Sequence, residues 1–298
     1  MDSPVTAPTW KQRSLRVLHL EPTDVCQAAC PQCARETDPH FDRRSRHHLR
    51  VEQIQREFSD DVIRGLDKMF MCGNYGDPAA GYHTLAIYRW FREVNPHIVL
   101  GMNSNGAVQS TFWWHELAGI LNQPRDYVVF SIDGLEDTNG VYRVNVNWQR
   151  LMSNAQAFIA AGGSAHWDML VYQHNEHQVE ACEQLARDMG FRWFRAKVSR
   201  RPMIKGLALP RRLAAPQQGG AVVNCHALAE SSIYMDAQGR VSPCCWLGSR
   251  QRDFIRDFDA VQSSWSSPQP NIVCLDTCGT TQQDTAFRSQ WRREVELC

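Results

Sequence analysis

Apolar positions along this chain alternate between two repeats, one of period two or continuous and one of period 3.6, from Leu15 to Lys197. Leu15–Glu21 reads as a strand, and Val51, Ile54, Phe58, Val62 and Leu66 fall on one face of a following helix. Lys68–Cys72 reads as the second strand, with a helix around His83–Val94 after it. His97–Met102 precedes a helix at Phe112–Leu121, and Tyr127–Ile132 precedes a helix running from Asn147 to Ala161. His166–Tyr172 is the fifth strand, Glu176–Met189 its helix, and Arg192–Lys197 the sixth strand.

Strands alternating with helices of this length predict an α/β fold with a parallel sheet and right-handed crossovers. Six such units are fewer than a closed eight-stranded barrel needs, so an open partial barrel and a doubly wound sheet both fit. Either architecture puts ligands at the carboxyl ends of the strands. The rhythm breaks after Lys197. Ser199–Val223 is rich in Arg, Pro, Gln and Gly and reads as a linker. Ser232–Pro243 then reads as a β-hairpin turning at Asp236–Gly239, where glycine supplies a positive φ. The expected division is a tail over 1–13, an α/β unit over 14–198, a linker over 199–224 and a smaller unit over 225–298.

Charge narrows the partners. With 32 basic and 32 acidic residues the net charge is zero, which gives no bulk electrostatic case for nucleic acid or an anionic membrane. No apolar run is long enough to span a bilayer and the first nine residues carry no signal-peptide pattern, so a soluble cytoplasmic protein is expected. Eleven cysteines, an odd number without a secretion signal, point to metal ligation rather than to a disulfide framework.

Three of those cysteines, Cys26, Cys30 and Cys33, follow the first strand with C-x3-C-x2-C spacing. Three thiolates on one loop suit three corners of a four-iron cluster and leave the fourth iron open to a ligand that is not protein. Cys225 and Cys244 flank the predicted hairpin, and Cys274 and Cys278 form a second close pair. Two pairs close a second site without an open position, and on spacing alone a structural zinc ion fits it too.

With these motifs the chain resembles the radical S-adenosylmethionine enzymes, in the subgroup whose twitch domain, a shortened SPASM domain, holds one auxiliary cluster. Cys26, Cys30 and Cys33 match the family's first motif; Cys225, Gly239 and Cys244 match C-x(9–15)-G-x4-C, with Cys274 and Cys278 as the later pair. The resemblance implies a six-unit partial TIM barrel followed by a cysteine-rich twitch domain. It also implies two 4Fe–4S clusters, S-adenosylmethionine as the cleaved cofactor, and a flavodoxin or ferredoxin as low-potential electron donor. Tyr75-Gly76-Asp77-Pro78 stands where the family has Gly-Gly-Glu-Pro, implying contact with the methionine ammonium. Ser104 and Asn105 resemble a segment that meets the ribose and carboxylate; Ser131, Asp133 and Arg143 resemble the Ser-Leu-Asp-Gly segment and the basic residue after it. Each of these segments also reads as an ordinary strand-end turn. Gln32 replaces an aromatic residue usual before the third cysteine, so Tyr75 or Tyr172 is expected to help hold the adenine.

Cys182 falls on an apolar helix face and reads as core, as does Cys72 at a strand end; Cys245 is an alternative to Cys244, and Cys298 a late ligand or a free thiol. His47 and His48 read as a solvated helix start, and Trp113–Trp114 as core or as a flank of the substrate mouth. The substrate is expected to be a ribosomally made peptide that is spliced, epimerised or crosslinked, with a separate leader-binding protein as partner. An aminosugar-type dehydrogenase, a nucleobase-modifying enzyme and a non-catalytic cluster carrier are the alternatives.

Overall fold

The computed structural model describes residues 14–199, 201, 204–211, 222–250, 258–280 and 291–297. Its core is a parallel sheet, with helices in the crossovers, consistent with a partial TIM barrel. The strands are β1 (Val17–Leu20), β2 (Lys68–Met71), β3 (Val99–Ser104), β4 (Tyr127–Ser131), β5 (Ala165–Val171) and β6 (Trp193–Val198), paired in sequence order. One face of the sheet is apolar and sealed: Leu18, Leu20, Met69, Met71, Leu100, Met102, Phe130, Trp167 and Met169 are fully buried. The opposite face alternates in polar and aromatic residues, among them His19, Phe70, Asn103, Ser131 and Asp168. A parallel strand covered on both sides reads as a continuous apolar run. The polar inner face therefore marks the side that serves a site.

The helix expected across Val51–Leu66 is two helices, α2 (Val51–Glu57) and α3 (Asp60–Arg64); the short α1 (Ala34–Thr37) precedes them. Ser59 ends the first by capping the second: its side chain accepts from the Val62 N–H, and Asp60 and Asp61 fill the first turn. The break resets the helical phase, so Ile63 is buried where Val62 was expected, and Val62 is exposed. Helices α4 (Thr84–Val94) and α5 (Thr111–Ile120) follow; Trp114 on α5 is fully buried and Trp113 packs against the core, so this pair is core. Helix α6 (Glu136–Tyr142) was not expected from its polar, glycine-containing sequence; Gln178 ties it down through Thr138, Asp137 and the Leu135 N–H. Helices α7 (Trp148–Ala160) and α8 (Val179–Met189) complete the layer, with Cys182 buried in the core.

Beyond 221 come the two-residue strand β7 (Val222–Val223), helix α9 (His226–Ala229), β8 (Ser232–Met235) and β9 (Val241–Ser242). The expected hairpin forms: Gly239 has φ +82°, and Gly239 N–H donates to the Asp236 carbonyl at 2.9 Å. Its first strand is built into the main sheet, β8 lying parallel to β1 with His19 opposite Tyr234. Helices α10 (Cys245–Arg250), α11 (Phe258–Ser264) and α12 (Ile272–Cys278) follow, with β10 (Gly279–Thr280) antiparallel to β7. Finally β11 (Trp291–Glu296) adds antiparallel to β6, so the C-terminal part of the chain extends both edges of the sheet. Among the described residues no helix is long and apolar enough to cross a membrane.

Candidate functional site

The loop leaving β1 carries Cys26, Cys30 and Cys33, all free thiols, with Cys30 buried and the others half-buried. The turn is closed by Cys33 N–H to the Cys30 carbonyl (2.9 Å) and pinned by Ala29 N–H to the Val144 carbonyl (3.0 Å). Ala28, Tyr142 and Tyr172 form an apolar shell around the three cysteines. Burial pushes the Cys26 thiol up, and negative charge at Asp77, Cys30 and Cys33 adds to that. Three clustered thiols that repel one another as anions call for a cationic group between them. Among the described residues no three His, Cys, Asp or Glu side chains close on one point as a single metal ion requires. Three free thiols on one short loop are the donor set that an iron–sulfur cube takes on separate irons, and they would fit such a cluster.

Asn105 and Arg143 reach that loop, and several of the predicted cofactor residues spend their polar atoms on one another. Asp77 is buried; one oxygen accepts from Ser104 Oγ (2.8 Å) and Ala79 N–H (2.9 Å), the other from Asn105 N–H and Nδ2 (both 2.7 Å). Asn105 Oδ1 accepts from Gln27 Nε2 at 2.7 Å, and Asn105 Nδ2 lies 3.7 Å from Cys26 Sγ. Asp77 thus locks the turn after β2 to the turn after β3, and Gln27, which no sequence motif marks, extends the lock to the cysteine loop. A Cβ on Gly76 would stand 1.8 Å from the Thr23 carbonyl oxygen, so glycine is needed there for the turn to pack against the stem of the cysteine loop.

On the other flank Asp133 is fully buried, accepting from Arg143 Nε (2.6 Å) and Leu170 N–H (2.6 Å). Arg143 sits one residue past α6, the helix that sequence patterning missed. Ser131 ends β4 opposite Asp168, which pairs with Arg195 (2.6 Å) and Lys197 (2.9 Å). Gln32 is buried; its amide oxygen accepts from Tyr172 Oη (2.6 Å) and Ser199 Oγ (2.9 Å), and its carbonyl from Arg201. Tyr172 is fully buried and stacked on Tyr142 at 5.0 Å. Tyr75 is open on one side: its hydroxyl donates to Asp38 (2.6 Å), its ring stacks on Phe41 (4.4 Å), and it lines a cavity of about 570 Å³. A second cavity of about 530 Å³, lined by Gln32, Asn74, Arg201 and Trp246, shares Asp38 and His40 with the first.

The second cysteine set gathers at one place. Cys225, Cys244, Cys274 and Cys278 line a single apolar cavity with Trp246 and Trp265. Pairing of Val223 with Gly279, together with Asn224 N–H to the Cys278 carbonyl (2.9 Å), brings Cys225 beside Cys278. Cys274 and Cys278 lie one turn apart on α12, capped by Asn271 at the Cys274 N–H (3.2 Å). Cys245 opens α10 on the other side, where its carbonyl accepts from Asn74 Nδ2 at 2.9 Å. Cys298 lies outside the described residues, as do Arg200 and Arg212 of the arginine-rich linker 199–224. Arg211, from the linker, is engaged with Glu176 through its N–H (2.5 Å).

No family model and no curated protein matches the sequence. The fold is similar to that of solved structures. SuiB from Streptococcus suis aligns with a TM-score of 0.59 at 14% identity, covering 86% of this chain and 67% of SuiB. The complex of SuiB with S-adenosylmethionine aligns at 0.58 and 14% identity, covering 86% and 67%. Its complex with the precursor peptide SuiA aligns at 0.59 and 13% identity, covering 86% and 66%. Native anSMEcpe with bound AdoMet aligns at 0.54 and 13% identity, covering 76% of this chain and 74% of that one. At such identities the likeness is one of fold.

Proposed function

We propose that this protein is a radical S-adenosylmethionine enzyme that modifies a ribosomally made peptide. The observation that carries the first half is the trio Cys26, Cys30 and Cys33 at the carboxyl end of β1, free of disulfides and tied through Gln27, Asn105 and Asp77 to the ends of β2 and β3. Those three thiolates would hold a 4Fe–4S cluster. When bound, it supplies the electron that cleaves S-adenosylmethionine to methionine and a 5′-deoxyadenosyl radical, which abstracts a hydrogen atom from a substrate carbon. The turn Tyr75–Asp77 and the residues Ser104, Asn105 and Ser131 would orient the cofactor. Arg143, held by Asp133, would balance thiolate charge at Cys30. Gln32 would fix the loop against Tyr172 and Ser199. Tyr75, stacked and half-open, is the better adenine contact of the two tyrosines, because Tyr172 is fully buried between Tyr142 and Gln32.

The division into a partial barrel over 14–198, a linker over 199–224 and a twitch domain over 225–298 belongs to the same reading, with Cys225, Cys244, Cys274 and Cys278 holding the auxiliary cluster. The peptide half rests on two cavities that share Asp38 and His40 in their linings and would together receive an extended ligand. The similar fold of SuiB, solved with a precursor peptide, supports it. A flavodoxin or ferredoxin would donate the electron, and a separate protein would present the leader.

Anaerobic reconstitution followed by dithionite tests the chemistry. The wild type should release 5′-deoxyadenosine and Cys30→Ala none; equal release from both would refute the assignment. Turnover of a free aminosugar with no peptide present would replace the peptide by a small-molecule substrate.

A further inference from the structure

An acid at the end of β1 is used by none of the roles above. Glu21 is 1% exposed. Its Oε1 accepts the backbone N–H groups of Tyr75 (2.6 Å) and Gly76 (2.9 Å), and its Oε2 accepts the Tyr234 hydroxyl. The Tyr234 oxygen also accepts from Asn74 Nδ2 (3.2 Å), the same amide that donates to the Cys245 carbonyl. The Glu21 N–H donates to the Met235 carbonyl at 2.9 Å. One side chain therefore joins three segments: the stem of the first cysteine loop, the turn that runs into Asp77, and the hairpin that runs into Cys244.

The chemistry of the junction is exacting. Two adjacent N–H groups and a phenol are three donors aimed at one carboxylate. Each buried donor left without an acceptor carries its full desolvation cost. Truncation at Glu21 would strip the Tyr75 and Gly76 N–H groups and the Tyr234 hydroxyl of their shared acceptor, leaving Asn74 Nδ2, bound to Tyr234 Oη and the Cys245 carbonyl, as the second tie between turn and hairpin.

We propose that Glu21 is a positioning residue that sets the turn Asn74–Asp77 and the hairpin carrying Cys244 in one register, coupling the cofactor site to the second cysteine site. The coupling rests on the two sites as read under Proposed function; the junction itself does not.

Hydrogen exchange by mass spectrometry on the reconstituted full-length chain tests it, alongside substrate-free cleavage of S-adenosylmethionine. Glu21→Ala should speed exchange in both 73–77 and 232–236. It should raise the KM for S-adenosylmethionine about tenfold or more while kcat at saturation stays within about threefold. Glu21→Gln keeps an oxygen facing both N–H groups and should restore exchange and KM. Wild-type exchange and KM in Glu21→Ala, or failure of Glu21→Gln to rescue, would overturn the proposal. If Glu21→Ala does not fold, Tyr234→Phe decides: faster exchange in both segments supports the coupling, and a change confined to 232–236, or none, overturns it. A wild type that releases no 5′-deoxyadenosine would defeat the proposed function while leaving the exchange result to decide the role of Glu21.

Discussion

Arg143 places Nη1 3.8 Å from Cys30 Sγ while its Nε holds Asp133 Oδ2 at 2.6 Å. Burial pushes the Cys30 thiol up, and the Arg143 guanidinium is the first influence pulling it down. The arginine is itself held in place by a carboxylate with no exposure to water. A mostly buried, oriented cation beside one of three cysteines would, on the proposed reading, serve as counter-ion for a thiolate, and it stands one residue past α6, which Gln178 anchors.

Replacing Arg143 by Met should then act twice. Asp133 is left buried and unpaired, which costs about 3–5 kcal/mol of stability. The Cys30 thiolate also loses its cation, so the first site should retain less iron. Thermal melting and iron analysis read the two effects separately. The double variant Asp133→Asn, Arg143→Met should regain most of the stability and none of the iron. A single variant that keeps wild-type iron would show that the cation does not serve the thiol.

Gly76→Ala should destabilise the fold by at least about 1–3 kcal/mol, because its Cβ has no space beside the Thr23 carbonyl and both groups are backbone. Gly119 on α5 is the control: nothing lies within 4 Å of its Cβ, and Gly119→Ala should stabilise by about 0.5–1 kcal/mol through helix propensity. Equal melting temperatures for the two variants would contradict the packing argument.

The contrast between these glycines shows what the sequence made legible. The order of β1–β6 and of α4, α5, α7 and α8 between them followed from periodicity, and the hairpin at Asp236–Gly239 from its glycine turn, since apolar spacing and a glycine turn are local signals. The grouping of the cysteines into two sets was visible in their spacing, and the ligands they would hold belong to the proposed function. Helix α6 was not legible, because tertiary bonds from Gln178 hold a weak helix former. Nor was the use of Asp77: nothing in Tyr-Gly-Asp-Pro reveals that Ser104 and Asn105, a strand away, occupy both of its oxygens. Parallel pairing of β8 with β1 was equally hidden, being a contact across more than 200 residues that has no local pattern.

Glu21 gives a pH dependence whose sign is fixed. Burial raises its carboxyl to about 7, against the bonds from Tyr234, Tyr75 and Gly76. A raised carboxyl makes its full contribution to stability below its unfolded value of 4.5 and loses it as pH climbs to about 7. His19, lowered to about 4 chiefly by burial, works the other way, losing its contribution as pH falls from 6.5 towards 4. The two partly cancel in the wild type. Chemical denaturation of wild type and Glu21→Gln across pH 4.5–7 separates them: the difference should move steadily in favour of the variant as pH rises, and a constant difference would refute the shift at Glu21.

Adjacent cysteines give the last prediction. Cys244 lines the apolar cavity with Cys225, Cys274 and Cys278, while Cys245 starts α10 with its carbonyl bound to Asn74 on the barrel side. If that cavity holds the auxiliary cluster, Cys244→Ser should lower the reconstituted content from about eight irons per chain to about four, and Cys245→Ser should leave it near eight. The Cys26, Cys30, Cys33 triple alanine variant should retain about four, held by the second set alone. Zinc recovered in place of iron from that triple variant would instead make the second site a structural zinc centre. Loss of iron in Cys245→Ser but not in Cys244→Ser would reverse the ligand assignment.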